Sequence, residues 1–148
     1  MNILVINGPN LNLLGTREPE IYGTDTLEEI MTWLECSTEA SGHKFKFFQS
    51  NHEGEIIDKL HENQDWADGI IINPAAFTHY SYAIRDSVEA IDIPTVEVHL
   101  SDIQNREDFR KVSVIETVCI AQVSGLGKEG YRESLRILLQ KRVRKNPT

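Results

Sequence analysis

Cysteine is scarce in this chain. Only Cys36 and Cys119 occur in 148 residues, far apart and without C-x-x-C spacing, which excludes a disulfide framework and a zinc knuckle and suits a reducing cytoplasm. Positive charge is also in deficit: 15 Lys and Arg against 23 Asp and Glu leave a net charge of -8. No basic stripe is left to track a phosphate backbone, so nucleic acid is not expected as a partner. The late basic tail from Lys141, with Arg142, Arg144 and Lys145, reads as the solvated end of a helix, where cations suit the dipole. No apolar run approaches ~20 residues and the N-terminus enters a strand directly, so neither a membrane span nor a signal peptide is expected. An HExxH pair and a carboxylate cluster are missing, and the histidines are scattered, which leaves no motivated metal site. A dinucleotide glycine fingerprint and a P-loop are missing too, and no lysine follows a strand closely enough for Schiff-base chemistry. The expectation is a protein that works without metal or cofactor.

What is present has the size of one domain, residues 1–148, large enough to bury a core without staples. Ile3 to Ile6 is a short β-branched run ended by Asn7, Gly8 and Pro9, and reads as a buried strand. The capping-box pair Thr26 and Glu29 opens a helix carrying Leu27, Ile30, Met31 and Leu34, which Gly42 stops. Lys44 to Gln49 reads as a second strand, followed by a helix capped at Ser50 with Glu53 and carrying Ile56, Ile57 and Leu60. Gly69 to Ile72 gives a third strand. A helix is expected from about Thr78 or His79 to about Ala90, with Ala83, Ile84 and Val88 inward, and Pro94 to Leu100 gives a fourth strand. A helical turn around Asn105 to Arg110, a fifth strand at Thr117 to Val123 and an amphipathic helix from Glu129 to Arg144 complete the chain. Five alternations of strand and helix with short connections predict a parallel sheet covered on both faces, a flavodoxin-like three-layer α/β sandwich.

In such sheets ligands bind beyond the carboxyl ends of the strands, so residues just after each strand are the candidates. The first of these loops, about 10–23, is long, polar and anchored by three leucines, and reads as a lid. Within it Arg17 and Tyr22 stand out, because a guanidinium near a phenol favours the phenolate, a usable base. A packed tyrosine beside a solvated arginine accounts for the same pair. Asn73 and His79 flank the turn after the third strand, where helix N–H groups suit a carboxylate. His79, Tyr82 or Ala83, and Asp86 fall on one helical stripe, so Asp86 either shares the site face or meets a neighbouring subunit. Glu97 and His99 are two apart on a strand and share a face; a carboxylate there favours a protonated imidazole, a plausible general acid. Leu100 and Ser101 offer backbone N–H groups and a hydroxyl to a polyol, and Arg110 a grip on hydroxyls or a carboxylate.

The blocks GPNLNLLGTREPEIYG, QSNHEGEIID, NPAAFTHYSYAIRD, VEVHLSDI, REDFR and GLGKEGY occur in this order. Together they resemble type II 3-dehydroquinate dehydratase over nearly the whole length. The resemblance implies a flavodoxin-like fold, trimers assembling into homododecamers, no metal or cofactor, and reversible anti elimination of water from 3-dehydroquinate. It implies Tyr22 as the base, Arg17 as the lid arginine assisting it, Asn10 holding a water against the enolate, and His99 as the acid oriented by Glu97. Asn73, His79, Leu100, Ser101 and Arg110 match substrate-binding positions, and Asp86 one at a subunit boundary. Ala75 stands where many members have glycine, Asp102 where asparagine is frequent, and Lys111 to Glu116 departs from the common version. A flavodoxin-like module that binds a small carboxylate without catalysis is the competing reading.

Overall fold

Along Ile3 to Ile6 the side chains alternate between two cores, Ile3 and Val5 on one side and Leu4 and Ile6 on the other. That is the pattern of a strand buried on both faces of a parallel sheet. The computed structural model describes residues 1–16 and 18–145. In it β1 (Asn2–Asn7) is followed by a loop that carries a 3-10 turn (Leu11–Leu13) and the short helix α1 (Pro19–Tyr22), then by α2 (Leu27–Glu35) and β2 (Lys44–Gln49). Next come α3 (Glu53–Glu62), β3 (Gly69–Asn73), α4 (Tyr82–Ile91), β4 (Thr95–Val98), β5 (Ala121–Val123) and α5 (Glu129–Lys145).

The five strands are all parallel in the order β2-β1-β3-β4-β5, which is the doubly wound flavodoxin-like order. One face packs Ile71, Val96 and Val98 against Ile30 and Leu34 of α2 and against Tyr131, Leu135 and Leu138 of α5. The other packs Ile70 and Ile72 against Ile56 and Leu60 of α3 and Ile84 and Val88 of α4. Both halves of the expected three-layer sandwich are therefore present. Among the described residues no helix is long and apolar enough to cross a membrane, and no group of three or more His, Cys, Asp or Glu stands together as a metal ligand set.

Several expected boundaries move, for local reasons. The Thr26–Glu29 capping box forms, but α2 ends at Glu35 and a short 3-10 turn (Thr38–Ala40) fills the stretch before Gly42. The Ser50–Glu53 box does not form. Ser50 instead donates its hydroxyl hydrogen to Glu55 and accepts the His52 N–H, while His52 takes the N-cap position of α3. The helix expected from Thr78 begins at Tyr82 with Ser81 as its cap, because Ala75–His79 winds as a 3-10 turn. That offset leaves Ala83 exposed while Ile84 and Val88 face the core. The fourth strand is shorter than expected at both ends, and the fifth shrinks to Ala121–Val123 behind a 3-10 turn at Glu116–Val118.

Candidate active site

The carboxyl ends of β1, β3 and β4 open onto one cleft. β1 ends at Asn7 directly opposite Asn73 of β3, and the two turns that follow pass against each other. A Cβ on Gly8 would stand 2.5 Å from the Pro74 carbonyl oxygen, so only glycine permits the approach. Gly8 N–H donates to the Asn73 carbonyl at 2.7 Å, locking the turns together.

From the first turn Asn10 enters the cleft in a left-handed conformation, φ 69°. Asparagine tolerates that region better than most residues, and here the Asn10 N–H is captured by the Asn51 side-chain oxygen at 2.9 Å. Asn51 itself belongs to the turn after β2, so two strand ends fix this position. Tyr22, the last residue of α1, lines the same cleft. Its hydroxyl oxygen lies 2.7 Å from Nη1 of Arg106, which donates, and the guanidinium carbon sits 5.4 Å from the ring centroid. Arg106 was not among the residues expected at the site. It sits in the irregular loop after β4, where no periodicity ties it to Tyr22, 84 residues earlier. Arg17 lies outside the described residues.

β4 delivers Glu97 and, just past its end, His99. Glu97 is wholly buried, and its carboxylate is ringed by donors. Thr78 Oγ1 reaches Oε2 at 2.7 Å, Gln122 Nε2 reaches it at 3.0 Å, and Ser113 Oγ reaches Oε1 at 2.8 Å. Ser113 Oγ also accepts the N–H groups of Ile115 and Glu116 and lies 3.0 Å from Thr78 Oγ1 and from Glu97 Oε2, so it ties the carboxylate to the neighbouring backbone. His99 Nε2 stands 2.5 Å from Oε2; with an acceptor-only partner, Nε2 carries the hydrogen and Nδ1 is the nitrogen left for a ligand. Burial alone would push the Glu97 carboxyl up. The bonds from His99, Thr78 and Ser113 and the His99 charge overcome this and hold it below the usual carboxylate value. Thr78, Ser113 and Gln122 come from three separate segments, so no sequence spacing marks them.

The floor and rim bring together most of the remaining candidates. Asn73, His79, Leu100, Ser101 and Arg110 all line the cleft. His79 donates from Nδ1 to the Val112 carbonyl at 2.7 Å, and burial lowers its basicity, so it is neutral at pH 7 with Nε2 as an acceptor. The carbonyls of Leu100 and Ser101 accept the Gly127 and Gly125 N–H groups. Arg110 is held by Glu107 at 2.9 Å and stacks on Phe109. Asp86 is not brought to the cleft. Its side chain is 73% exposed and pairs with the adjacent Arg85, because α4 starts after His79 and the single helical stripe expected to join them does not exist. The cleft is thus lined by a hydroxyl bonded to a guanidinium, by an imidazole backed by a buried carboxylate, and by further polar groups and a second guanidinium. Such an arrangement offers two separate groups, a phenol and an imidazole, for proton transfer on a small polar anion.

Residues 1–139 match the family model described as dehydroquinase class II. A 3-dehydroquinate dehydratase of Bacillus licheniformis is 56% identical over 131 residues, spanning 88% of this chain and 90% of that protein. The crystal structure of a type II dehydroquinase from Butyrivibrio crossotus superposes with a TM-score of 0.91 at 47% identity, covering 94% of this chain and 97% of that one. A type II dehydroquinase from Propionibacterium acnes gives 0.89 at 38% identity, covering 94% and 96%. With the model spanning nearly the whole length and relatives this similar end to end, the chain belongs to the class II dehydroquinase family.

Proposed function

We propose that this protein is a 3-dehydroquinate dehydratase, a hydro-lyase that reversibly converts 3-dehydroquinate to 3-dehydroshikimate by anti elimination of water. The observation that carries the reading is the presence in one cleft of Tyr22, bonded to Arg106, and His99, bonded to Glu97, in a chain of this family. Tyr22, as phenolate, takes the proton from the carbon beside the ketone, and the C–H electron pair becomes the enolate. Arg106 donates to the Tyr22 oxygen and so fixes where the base stands; Arg17 is the second arginine assigned to assist it. Asn10 holds a water against the enolate oxygen, where fixed hydrogen-bond donors act on the charge that develops. The C–O bond then breaks, and the departing hydroxyl takes its proton from His99 and leaves as water. Glu97 keeps His99 oriented and its Nε2 hydrogen fixed. Asn73, His79, Leu100, Ser101 and Arg110 bind the substrate's carboxylate and hydroxyls.

The enzyme works on this small molecule alone, with no metal or cofactor, in the cytoplasm, within the shikimate pathway. Its two cysteines are free, in keeping with a reducing compartment. It assembles as trimers and then as a homododecamer. In support, Tyr80, Tyr82, Phe109 and Val112 are each more than half exposed, an apolar group beside the cleft that a neighbouring subunit would cover, with Asp86 at the boundary. Incubation with 3-dehydroquinate should raise the ultraviolet absorbance as the conjugated product forms. A protein that binds 3-dehydroquinate without any absorbance change would instead be the non-catalytic module.

A further inference from the structure

Behind the cleft lies a buried chain of polar groups that the reaction as described does not use. Tyr131, in the first turn of α5, is fully buried, and burial raises its phenol well above the ordinary value, so it is a permanent O–H. Its oxygen spans the ends of two adjacent strands. It donates to Asn7 Oδ1 at 2.6 Å and accepts from Asn73 Nδ2 at 3.0 Å. Asn7 and Asn73 are opposite one another in the β1–β3 register, and both are nearly inaccessible.

The direction of every bond in this chain is fixed. A phenol has one hydrogen, and Asn7 takes it; Asn7 Nδ2 in turn points to the Met31 sulfur at 3.6 Å, a weak acceptor that suits an N–H. With its hydrogen committed, Tyr131 can only accept from Asn73. Asn73 is oriented from its other end as well, because its Oδ1 takes the Ala75 N–H at 3.2 Å. One Nδ2 hydrogen of Asn73 goes to Tyr131, and the second is left for an acceptor in the cleft that Asn73 lines. Turning the amide over would set its carbonyl oxygen against the Tyr131 lone pairs and its NH2 against the Ala75 N–H.

We propose that Tyr131 is a positioning residue for substrate binding: from α5 it holds the Asn73 amide so that an N–H, not a carbonyl, meets the anionic substrate. This rests on the dehydratase reading and deepens it, since Tyr131 lies behind Asn73 and does not itself line the cleft.

Tyr131→Phe keeps the ring and removes only the oxygen. The expected result is a KM for 3-dehydroquinate raised about tenfold, the effect of one misplaced hydrogen bond, with kcat and its pH profile unchanged because Tyr22 and His99 are untouched. In an Asn73→Ala background the same substitution should raise KM no further. Multiplicative KM effects in the double variant, or a fall in kcat at constant KM, would overturn the role. Asn7→Leu provides a second route should Tyr131→Phe fail to fold. Asn7 does not line the cleft, yet its loss frees the Tyr131 hydrogen to turn towards Asn73, so KM should rise at constant kcat, and an unchanged KM would overturn the proposal. Wild-type protein that turns over 3-dehydroquinate while these variants fail sinks only the Tyr131 role; wild-type protein with no turnover sinks the dehydratase reading beneath it.

Discussion

Replacing Glu97 by glutamine removes one charge and changes almost no volume, yet it should damage both folding and turnover. The carboxylate takes hydrogens from Thr78, Ser113, Gln122 and His99. A glutamine offers one oxygen and an NH2. If the NH2 takes the Oε2 place, it meets Thr78, Gln122 and His99, all donors. If it takes the Oε1 place, it meets Ser113, whose lone pairs already hold the Ile115 and Glu116 N–H groups. Either way at least one buried donor is left without an acceptor, at about 1–3 kcal/mol, which for a domain of this size lowers Tm by roughly 3–10 °C. His99 loses an anionic partner. A charge-assisted bond is worth about 1.5–3 kcal/mol, so kcat should fall by roughly 10- to 150-fold. KM should hold, because Glu97 lies behind His99 and does not line the cleft. The acid side of the stability curve gives a further check. The Glu97 carboxyl is held below its ordinary value in the fold, so its stabilisation is complete above the unfolded carboxyl value of about 4.3 and fades as pH falls through the folded one. Glu97→Gln should therefore lose less stability than wild type over that acid range. Thermal melts from pH 7 downward, with kcat measured by product absorbance, test all three. A Glu97→Gln protein with kcat within about twofold of wild type would refute the link from the buried carboxylate to His99.

Two other substitutions address the lid side and the floor of the cleft. Arg106→Ala removes a charge-assisted bond to the Tyr22 oxygen and should lower kcat by roughly 10- to 150-fold with little change in Tm; kcat near wild type would show that the contact plays no part in turnover. Ala75 holds φ 53°, a region that costs a residue with a Cβ about 1–2 kcal/mol. Ala75→Gly should thus raise Tm by a few degrees despite glycine's extra chain entropy, and a lower Tm in a calorimetric scan would contradict this.

The sequence exposed the sheet because its periodicities are strong: a two-sided apolar strand at Ile3 to Ile6, a second at Gly69 to Ile72, and heptad-like apolar spacing in α5. The residues at the strand ends could be picked from topology, and Asn10, Tyr22, Asn73, His79, His99, Leu100, Ser101 and Arg110 do share one cleft. What could not be read was partnership at long range. Ser50 with Glu53 has the same spacing as Thr26 with Glu29, but a nearby Glu55 competes for the Ser50 hydroxyl. Thr78 looks like a helix start, yet its hydroxyl is committed to Glu97 on another strand, and the chain winds there as a 3-10 turn instead. That shift also removes Asp86 from the stripe it was assigned to. Arg106, Asn51, Ser113, Gln122 and Tyr131 act across 16 to 124 positions of chain, a separation at which local pattern carries no information.

The central claim is that the Tyr22 oxygen is the base, and Tyr22→Phe tests it most directly, since the ring stays and only that atom goes. With the fold verified by circular dichroism and substrate at saturation, kcat should fall about a thousandfold or more. Turnover retained within about tenfold of wild type would mean that another group removes the proton.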